Sequence, residues 1–269
     1  MSPPVVTLLT DYGIHSDFPG VCHGVIQRIC PDATVVHITH GIARHDIRHG
    51  ALVLRNALPY MPSGVHVAVV DPQVGTERRA VALRCADGNV LVGPDNGLLS
   101  LAAEVCGGVS EAVDVSRSRH RLEPVSATFH GRDVFAPVAA ALACGEPLRD
   151  AGDPLAVEEL TVLELPRPRQ EDDTLVAHAL LVDVYGNVTL DVRHEDLPGT
   201  ALTLGRALEV NAGGRTARAM FTGTFADVGA GELLLYEDSS RTLALAVNRG
   251  DAATVLGLEP DDEVRLSPL

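Results

Sequence analysis

Residues 5–13, VVTLLTDYG, read as a short apolar strand that stops at a carboxylate and a turn glycine. The same shape returns at 65–71, VHVAVVD. Between them, Val21, Val25, Ile26 and Ile29 recur at helical spacing until Cys30-Pro31-Asp32 ends the helix. Thr34 to Ile38 then makes a second strand, and Asp46 to Leu58 a second helix closed by Pro59 and Pro62. Strand, helix, strand, helix, strand at this pitch predicts a parallel or mostly parallel α/β sheet with crossover helices.

Further along, Ala80–Cys85 and Val90–Val92 flank Ala86-Asp87-Gly88-Asn89, an Asp-Gly hairpin signal that interrupts the parallel pattern. A helix is expected after Gly93-Pro94-Asp95-Asn96-Gly97. Another, Ala-rich, is expected over Val134–Cys144, with Pro137 in its first turn and Gly145 at its C-cap. Residues 165–173, LPRPRQEDD, read as a linker. Beyond it come β-like runs at Leu175–Asp183, Asn187–Val192, Ala201–Leu208, Glu232–Tyr236 and Leu243–Val247. The expected organisation is an α/β domain over 1–164, a linker over 165–173 and a smaller β-rich domain over 174–269.

Composition narrows the chemistry. The 269 residues include 46% hydrophobic and 21% charged side chains, which suits a folded globular protein rather than a disordered one. All 21 basic residues are arginine, against 36 acidic ones, for a formal net charge of -15. With no lysine, Schiff-base, P-loop and kinase-type lysine chemistry are excluded. So acidic a chain is not expected to bind nucleic acid, and it favours a neutral or cationic small molecule. No uncharged apolar run approaches ~18 residues, so no membrane span is expected. The start, Met1-Ser2-Pro3-Pro4, has no basic n-region, which points to a cytoplasmic location. Five cysteines without C-x-x-C spacing are expected to be buried reduced thiols.

Three strands end in aspartate: Asp11, Asp71 and Asp183. At the carboxyl ends of α/β strands such groups face a ligand crevice, and a carboxylate suits the vicinal hydroxyls of a ribose. Aspartate is also a common turn-starter, so each alone is ambiguous. Asp71-Pro72-Gln73-Val74-Gly75-Thr76-Glu77-Arg78 adds a guanidinium to the second of them. His130 precedes the Ala-rich helix, as a catalytic or a capping histidine, with Arg132 and Asp133 as a structural ion pair or cap. His37, His40, His45 and His49 around Asp46 lack the H-E-x-x-H signature and are read as loop and surface histidines, not a metal site. Asp183-Val184-Tyr185-Gly186-Asn187 offers an aromatic face and an amide in a tight turn, suited to reading a purine or simply closing a hairpin. Ser239-Ser240 and Asn248-Arg249-Gly250 are weaker signals.

Together the stretches TDYG (10–13), ICPDATVVHITHGI (29–42), VVDPQVGTERRAVA (69–82), GPDNGLL (93–99), TFHGRDVFAP (128–137), VDVYGNV (182–188) and SSRTLALAVNRGDAA (239–253) resemble the S-adenosylmethionine (SAM) hydroxide adenosyltransferases, relatives of fluorinase and chlorinase. The resemblance implies an N-terminal α/β domain, a C-terminal β-barrel-like domain, and a homotrimer with SAM held at subunit interfaces. It implies no cofactor and no metal. Asp71, Arg78 and His130 match the triad that positions and activates water, and Asp11 the ribose-binding carboxylate. Tyr185 and Asn187 fall on the adenine and methionine side. Asp183, Ser239 and Ser240 match the amino-acid end, and Val247 to Arg249 the segment along the adenine edge.

Where fluorinase presents a halide-binding serine this chain has Gly131, and where fluorinase has tyrosine it has His130 and Asp71. The resemblance therefore implies hydroxide rather than halide transfer, giving adenosine and L-methionine. Gln73 and Tyr185 depart from the family's usual glycine and phenylalanine. The alternatives are a SAM-dependent chlorinase, a non-catalytic adenosine- or SAM-binding protein, and a metal-dependent hydrolase built on the histidines.

Overall fold

The computed structural model describes residues 3–269, which divide between Leu163 and Glu164 into two compact units. Of the Met1-Ser2-Pro3-Pro4 start, Met1 and Ser2 lie outside the described residues.

The first unit opens as the sequence predicts: β1 (Val5–Thr10), α1 (Phe18–Ile29), β2 (Thr34–Thr39), α2 (Ile47–Ala57) and β3 (Val65–Val69). It continues through β4 (Ala80–Cys85), β5 (Val90–Pro94), α3 (Ser100–Val105), β6 (Val109–Asp114), α4 (Ala136–Ala143), α5 (Leu148–Ala151) and β7 (Asp153–Leu155). The strand order is β2-β1-β3-β5-β4-β6-β7. β2, β1, β3 and β5 run parallel, while β4, β6 and β7 pair antiparallel. β3 is buried along its whole length, as a central parallel strand must be.

β1 has β2 on one side and β3 on the other, so the right-handed crossovers through α1 and α2 leave in opposite directions. That makes the carboxyl ends of β1 and β3 a switch point, where the chain leaves room for a ligand. Asp11 and Asp71 follow those two ends. The register pairs Thr10 with Val69, and the Asp11 amide donates to the Val69 carbonyl at 3.3 Å. α4 is almost entirely buried against β1, β3 and α1, and its run of alanines allows that close approach.

Cysteine departs from expectation. Cys22, Cys85 and Cys106 are buried free thiols, but Cys30 and Cys144 form a disulfide with a Cα–Cα distance of 5.8 Å. They cap the C-terminal ends of α1 and α4, which pack side by side. The pairing spans 114 residues, so no spacing rule could signal it.

The second unit comprises β8 (Arg169–Glu171), β9 (Thr174–Val182), β10 (Val188–Arg193), β11 (Ala207–Ala212), β12 (Arg215–Phe221), β13 (Leu233–Glu237), β14 (Thr242–Val247), α6 (Ala252–Leu256) and β15 (Glu263–Pro268). The order β10-β14-β13-β12-β11-β15-β9 closes through β9–β10 pairing into a seven-stranded barrel, with β8 added outside on β9. Closure removes the exposed sheet edges. β8 lies within the expected linker, where Glu171 pairs with Thr174 across a tight turn at Asp172 (φ 51°). The strand expected at Ala201–Leu208 starts at Ala207 instead, because Arg206 donates to Thr203 in a turn.

Candidate active site

Asp71 leaves β3, and Arg78 returns along the same loop just before β4. Arg78 grips Asp71 with two donors: Nε reaches Oδ1 at 3.1 Å, and Nη2 reaches Oδ2 in a very short contact. Both side chains are almost completely buried, at 2% and 4% exposure. Arg78 Nη1 donates to the Arg79 carbonyl at 3.1 Å, and its guanidinium stands 5.5 Å from the Phe135 ring centroid. Burial pushes the Asp71 carboxyl above its ordinary value, against the pull of Arg78.

The same guanidinium meets a third group. Nη2 lies 3.1 Å from His130 Nδ1. A guanidinium can only donate, so Nδ1 accepts and the neutral ring carries its proton on Nε2. Burial first, and Arg78 second, hold His130 below the usual imidazole range, which favours that neutral form. His130 is placed by a single π-helical turn over Gly131–Phe135 that runs into α4. Beside it, Arg132 bonds Asp133 at 2.6 and 2.9 Å, and Asp133 accepts the Ser126 amide at 2.8 Å. Those two residues form the expected structural ion pair.

Asp11 is half-buried, and its Oδ2 accepts the His45 amide at 3.0 Å. Tyr12, next to it, packs edge-on against Phe18 and Phe129, with centroids 5.6 and 5.7 Å away, while Phe18 and Phe129 stack at 4.3 Å. A Cβ built on Gly131 would lie 2.1 Å from the Tyr12 hydroxyl. Glycine at 131 is thus what lets Tyr12 take its place. Burial raises Tyr12 well above the phenol range, helped by Asp11 and Asp71, so its hydroxyl stays protonated. The sequence reading singled out none of these aromatics. Their long separation hid them, and only the aromatic flanks of Asp11 and His130 in TDYG and TFHG hinted at them.

The expected loop histidines are more organised than the sequence suggested. Thr10 Oγ1 meets His40 Nδ1 at 2.9 Å, His40 Nε2 meets His37 Nδ1 at 2.6 Å, and His37 Nε2 meets His23 Nδ1 at 2.9 Å. His45 and His49 contribute backbone amides, to Asp11 and Asp46.

In the second unit, a cleft of about 580 Å³ is lined by Asp183, Tyr185, Asn187, Val247 and Arg249, each named from the sequence, and also by Phe225 and Tyr236, which were not; Asp183, grouped from the sequence with Ser239 and Ser240, lies here apart from them. Phe225 and Tyr236 pack with centroids 4.9 Å apart. Asp183 is occupied by its own turn: Oδ1 accepts the amides of Tyr185 and Asn187 at 2.8 and 2.9 Å, and Oδ2 accepts the Asn187 side chain at 2.8 Å. Gly186 (φ 78°) admits this turn, since a Cβ there would come within 2.3 Å of Asp251. Tyr185 is left 75% exposed. Ser239 and Ser240 lie in the β13–β14 turn, outside the lining of this cleft, with the Ser240 amide bonded to Asp238.

Models of the SAM hydroxide adenosyltransferase N-terminal and C-terminal domains match residues 6–152 and 177–265. The chain belongs to the SAM hydroxide adenosyltransferase family. It is 48% identical over 271 residues to the (R)-S-adenosyl-L-methionine hydrolase of Salinispora tropica, covering 99% of both chains. A solved structure of an uncharacterized conserved protein from Thermotoga maritima superposes with a TM-score of 0.90 at 36% identity, covering 97% of this chain and 99% of that one. The fluorinase of Nocardia brasiliensis is more distant, at 29% identity over 98% of this chain and 96% of that protein. Family membership accounts for the fold of both units. Among the described residues no helix is long and apolar enough to cross a membrane.

Proposed function

We propose that this chain hydrolyses S-adenosyl-L-methionine to adenosine and L-methionine, with water attacking C5′ opposite sulfur. The observation that carries this reading is the end-to-end likeness to the Salinispora tropica hydrolase. In the reaction a C5′–O bond forms, the C5′–S bond breaks with its electron pair going to sulfur, and the water oxygen loses a proton. The leaving group is a neutral thioether, so no general acid is required. The demand falls on holding and deprotonating water, and alignment of that kind is worth several kcal/mol.

Asp71, Arg78 and His130 are assigned to that water. The Arg78 contact puts the His130 proton on Nε2, so the ring acts as a donor that steadies the oxygen as it gains hydroxide character. Asp71, buried and with a raised carboxyl pKa, is assigned the proton. Asp11 is assigned the ribose hydroxyls. Tyr185, Asn187 and the Val247–Arg249 segment take the adenine and methionine side, and Asp183 serves by shaping the turn that presents them. Ser239 and Ser240 are assigned to the amino-acid end.

The proposal includes a homotrimer, with each substrate between one chain's N-terminal unit and a neighbour's C-terminal unit. It also includes a cytoplasmic location, no metal or other cofactor in the reaction, and no nucleic-acid partner. Mixing the Arg78→Ala protein with one that carries Tyr185→Ala, Asn187→Ala and Arg249→Ala together, which strips the cleft of the second unit, tests the shared site: reassembled mixtures regain turnover if units from two chains complete it, and stay inactive otherwise.

The deciding experiment is mass spectrometry after incubation with SAM, EDTA and chloride in water labelled with heavy oxygen. Adenosine labelled at its 5′ oxygen with equimolar methionine is the expected result. Unchanged SAM means a binding protein or, if metal restores turnover, a metallohydrolase. A 5′-chlorinated nucleoside means a halogenase.

A further inference from the structure

Away from the reaction site, the N-terminal unit gathers three metal-ligating groups that the hydrolysis does not use. Cys85 ends β4, Asp87 lies in the turn that follows, and Cys106 caps the C-terminus of α3. Their two sulfurs and a carboxylate oxygen all lie within 4.8 Å of one another. Both cysteines are buried, whereas Asp87 is exposed and gives access from solvent. Arg78 and Arg79 precede the opposite end of β4, so the length of that strand, roughly 20 Å, separates this cluster from the reaction centre.

The backbone around the cluster is tied on every side. The Cys85 amide donates to the Asn89 carbonyl at 2.8 Å, and the Gly88 amide to the Cys85 carbonyl at 3.0 Å. Asp87 and Ala86 donate across to the carbonyls of Cys106 and Gly108, at 3.2 and 3.0 Å. The hairpin is thereby fastened to the end of α3.

A second layer orients the ligands. The Asn89 side-chain amide donates to Asp87 Oδ2 at 2.8 Å and points at Cys106 Sγ, 4.0 Å away. Its oxygen is held in turn by the Gly64 amide at 3.0 Å and by His66 Nε2 at 3.1 Å. His66 is buried, and its Nδ1 pairs with the Thr7 hydroxyl at 3.0 Å. Ligand-orienting networks of this depth are what metal sites carry behind their first ring of donors.

We propose that Cys85, Cys106 and Asp87 form a binding site for one zinc-class divalent cation, with water in the fourth position. Two thiolates and a carboxylate are the donors such a borderline-soft ion takes, and tetrahedral Zn–S bonds of about 2.3 Å need sulfurs only ~3.8 Å apart. On binding, two S–H bonds break, two S–metal bonds form, and two protons leave to buffer. Because binding displaces protons, affinity rises with pH. The bound ion would staple the β4–β5 hairpin to α3. It is structural and independent of the hydrolytic reading.

The test is titration of the full-length protein, freed of metal by chelation, with cobalt(II) and then zinc(II). One equivalent of cobalt should give a sulfur-to-metal charge-transfer absorption in the near ultraviolet, and one equivalent of zinc should abolish it. Calorimetry in buffers of different ionisation enthalpy should show about two protons released per metal. Cys106→Ser should lose the absorption. Asp87→Asn, at an exposed position that does not threaten folding, should keep it and weaken zinc binding at least tenfold. SAM turnover should be unchanged in both variants. No charge-transfer absorption in the parent protein, its survival in Cys106→Ser, or unaltered zinc affinity in Asp87→Asn would each overturn the site. Cobalt held only by the surface histidines would lack the sulfur absorption and would count against it.

Discussion

The two units carry their candidate site residues in opposite states of readiness. In the first, the buried Arg78 already holds Asp71 with two donors and the half-buried His130 with one, so a single guanidinium aims both. In the second, Tyr185 stands open to solvent on a turn whose carboxylate is spent on its own backbone. The contrast has a physical source. Under the proposed reaction the first set moves protons, which needs a fixed geometry and a dry setting, and the sheet core builds such a geometry in advance. Groups that only cover a substrate can remain exposed until it arrives.

Breaking the preassembled cluster should have the largest effect. Arg78→Ala strands a buried Asp71, and turnover should fall by on the order of 10³-fold with a stability loss of about 3–5 kcal/mol. Arg78→Lys should rescue little, because a point charge cannot reproduce the two-pronged grip. Product formation and thermal melting read both. An Arg78→Ala protein with near-normal turnover would remove the distinction between the units.

Gly131→Ser probes the packing behind the cluster. The new side chain meets the Tyr12 hydroxyl, so turnover should drop about 10²-fold through displacement of His130 or Tyr12. No 5′-chlorinated nucleoside should appear, since the serine cannot occupy space already filled by Tyr12. Chlorination by this variant would show that Gly131 alone separates water from halide.

The exposed side should respond more gently. Tyr185→Ala should raise KM by roughly 3- to 10-fold, as expected for a stacking contact, with kcat within about twofold. A collapse of kcat instead would mean that the C-terminal unit also holds reacting groups in place.

Acid should act on the first unit. His37, His40, His66 and His130 all have folded-state pKa values below the ordinary 6.5, His40 at about 4. The unfolded chain therefore binds more protons between about pH 6.5 and 4, and these groups lower stability as pH falls through that window. Asp71, shifted upward, works in the opposite direction but is one group against four. Melting of the first unit should move down by on the order of 5 °C from pH 7 to pH 5. Unchanged melting would show that the unfolded chain meets the same histidine environment.

The strands ending at Asp11 and Asp71 were legible because an apolar run stopping at a carboxylate is a local signal. The union of Asp71 with Arg78 was half-legible, through their shared loop. Its meeting with His130 depends on α4 folding back onto β1 and β3, which no window of sequence contains. β12 and β15 escaped notice because RTARAMF and EVRLSP alternate small or single apolar residues on the inner face with arginine and other polar residues, so neither shows as an apolar run. Phe225 and Tyr236 meet only because the barrel closes. Sequence reading thus reached the elements and the residues of each motif, and it stopped at contacts that depend on closure or on long loops.

The bond between Cys30 and Cys144 carries a consequence for the integrity of the chain. A protease cutting anywhere between those residues opens the backbone without parting the molecule, because the fragments stay joined at the ends of α1 and α4. The polar loops of that span could be nicked while the sheet they decorate holds its shape. On a denaturing gel such a protein would run as one species until reductant released two.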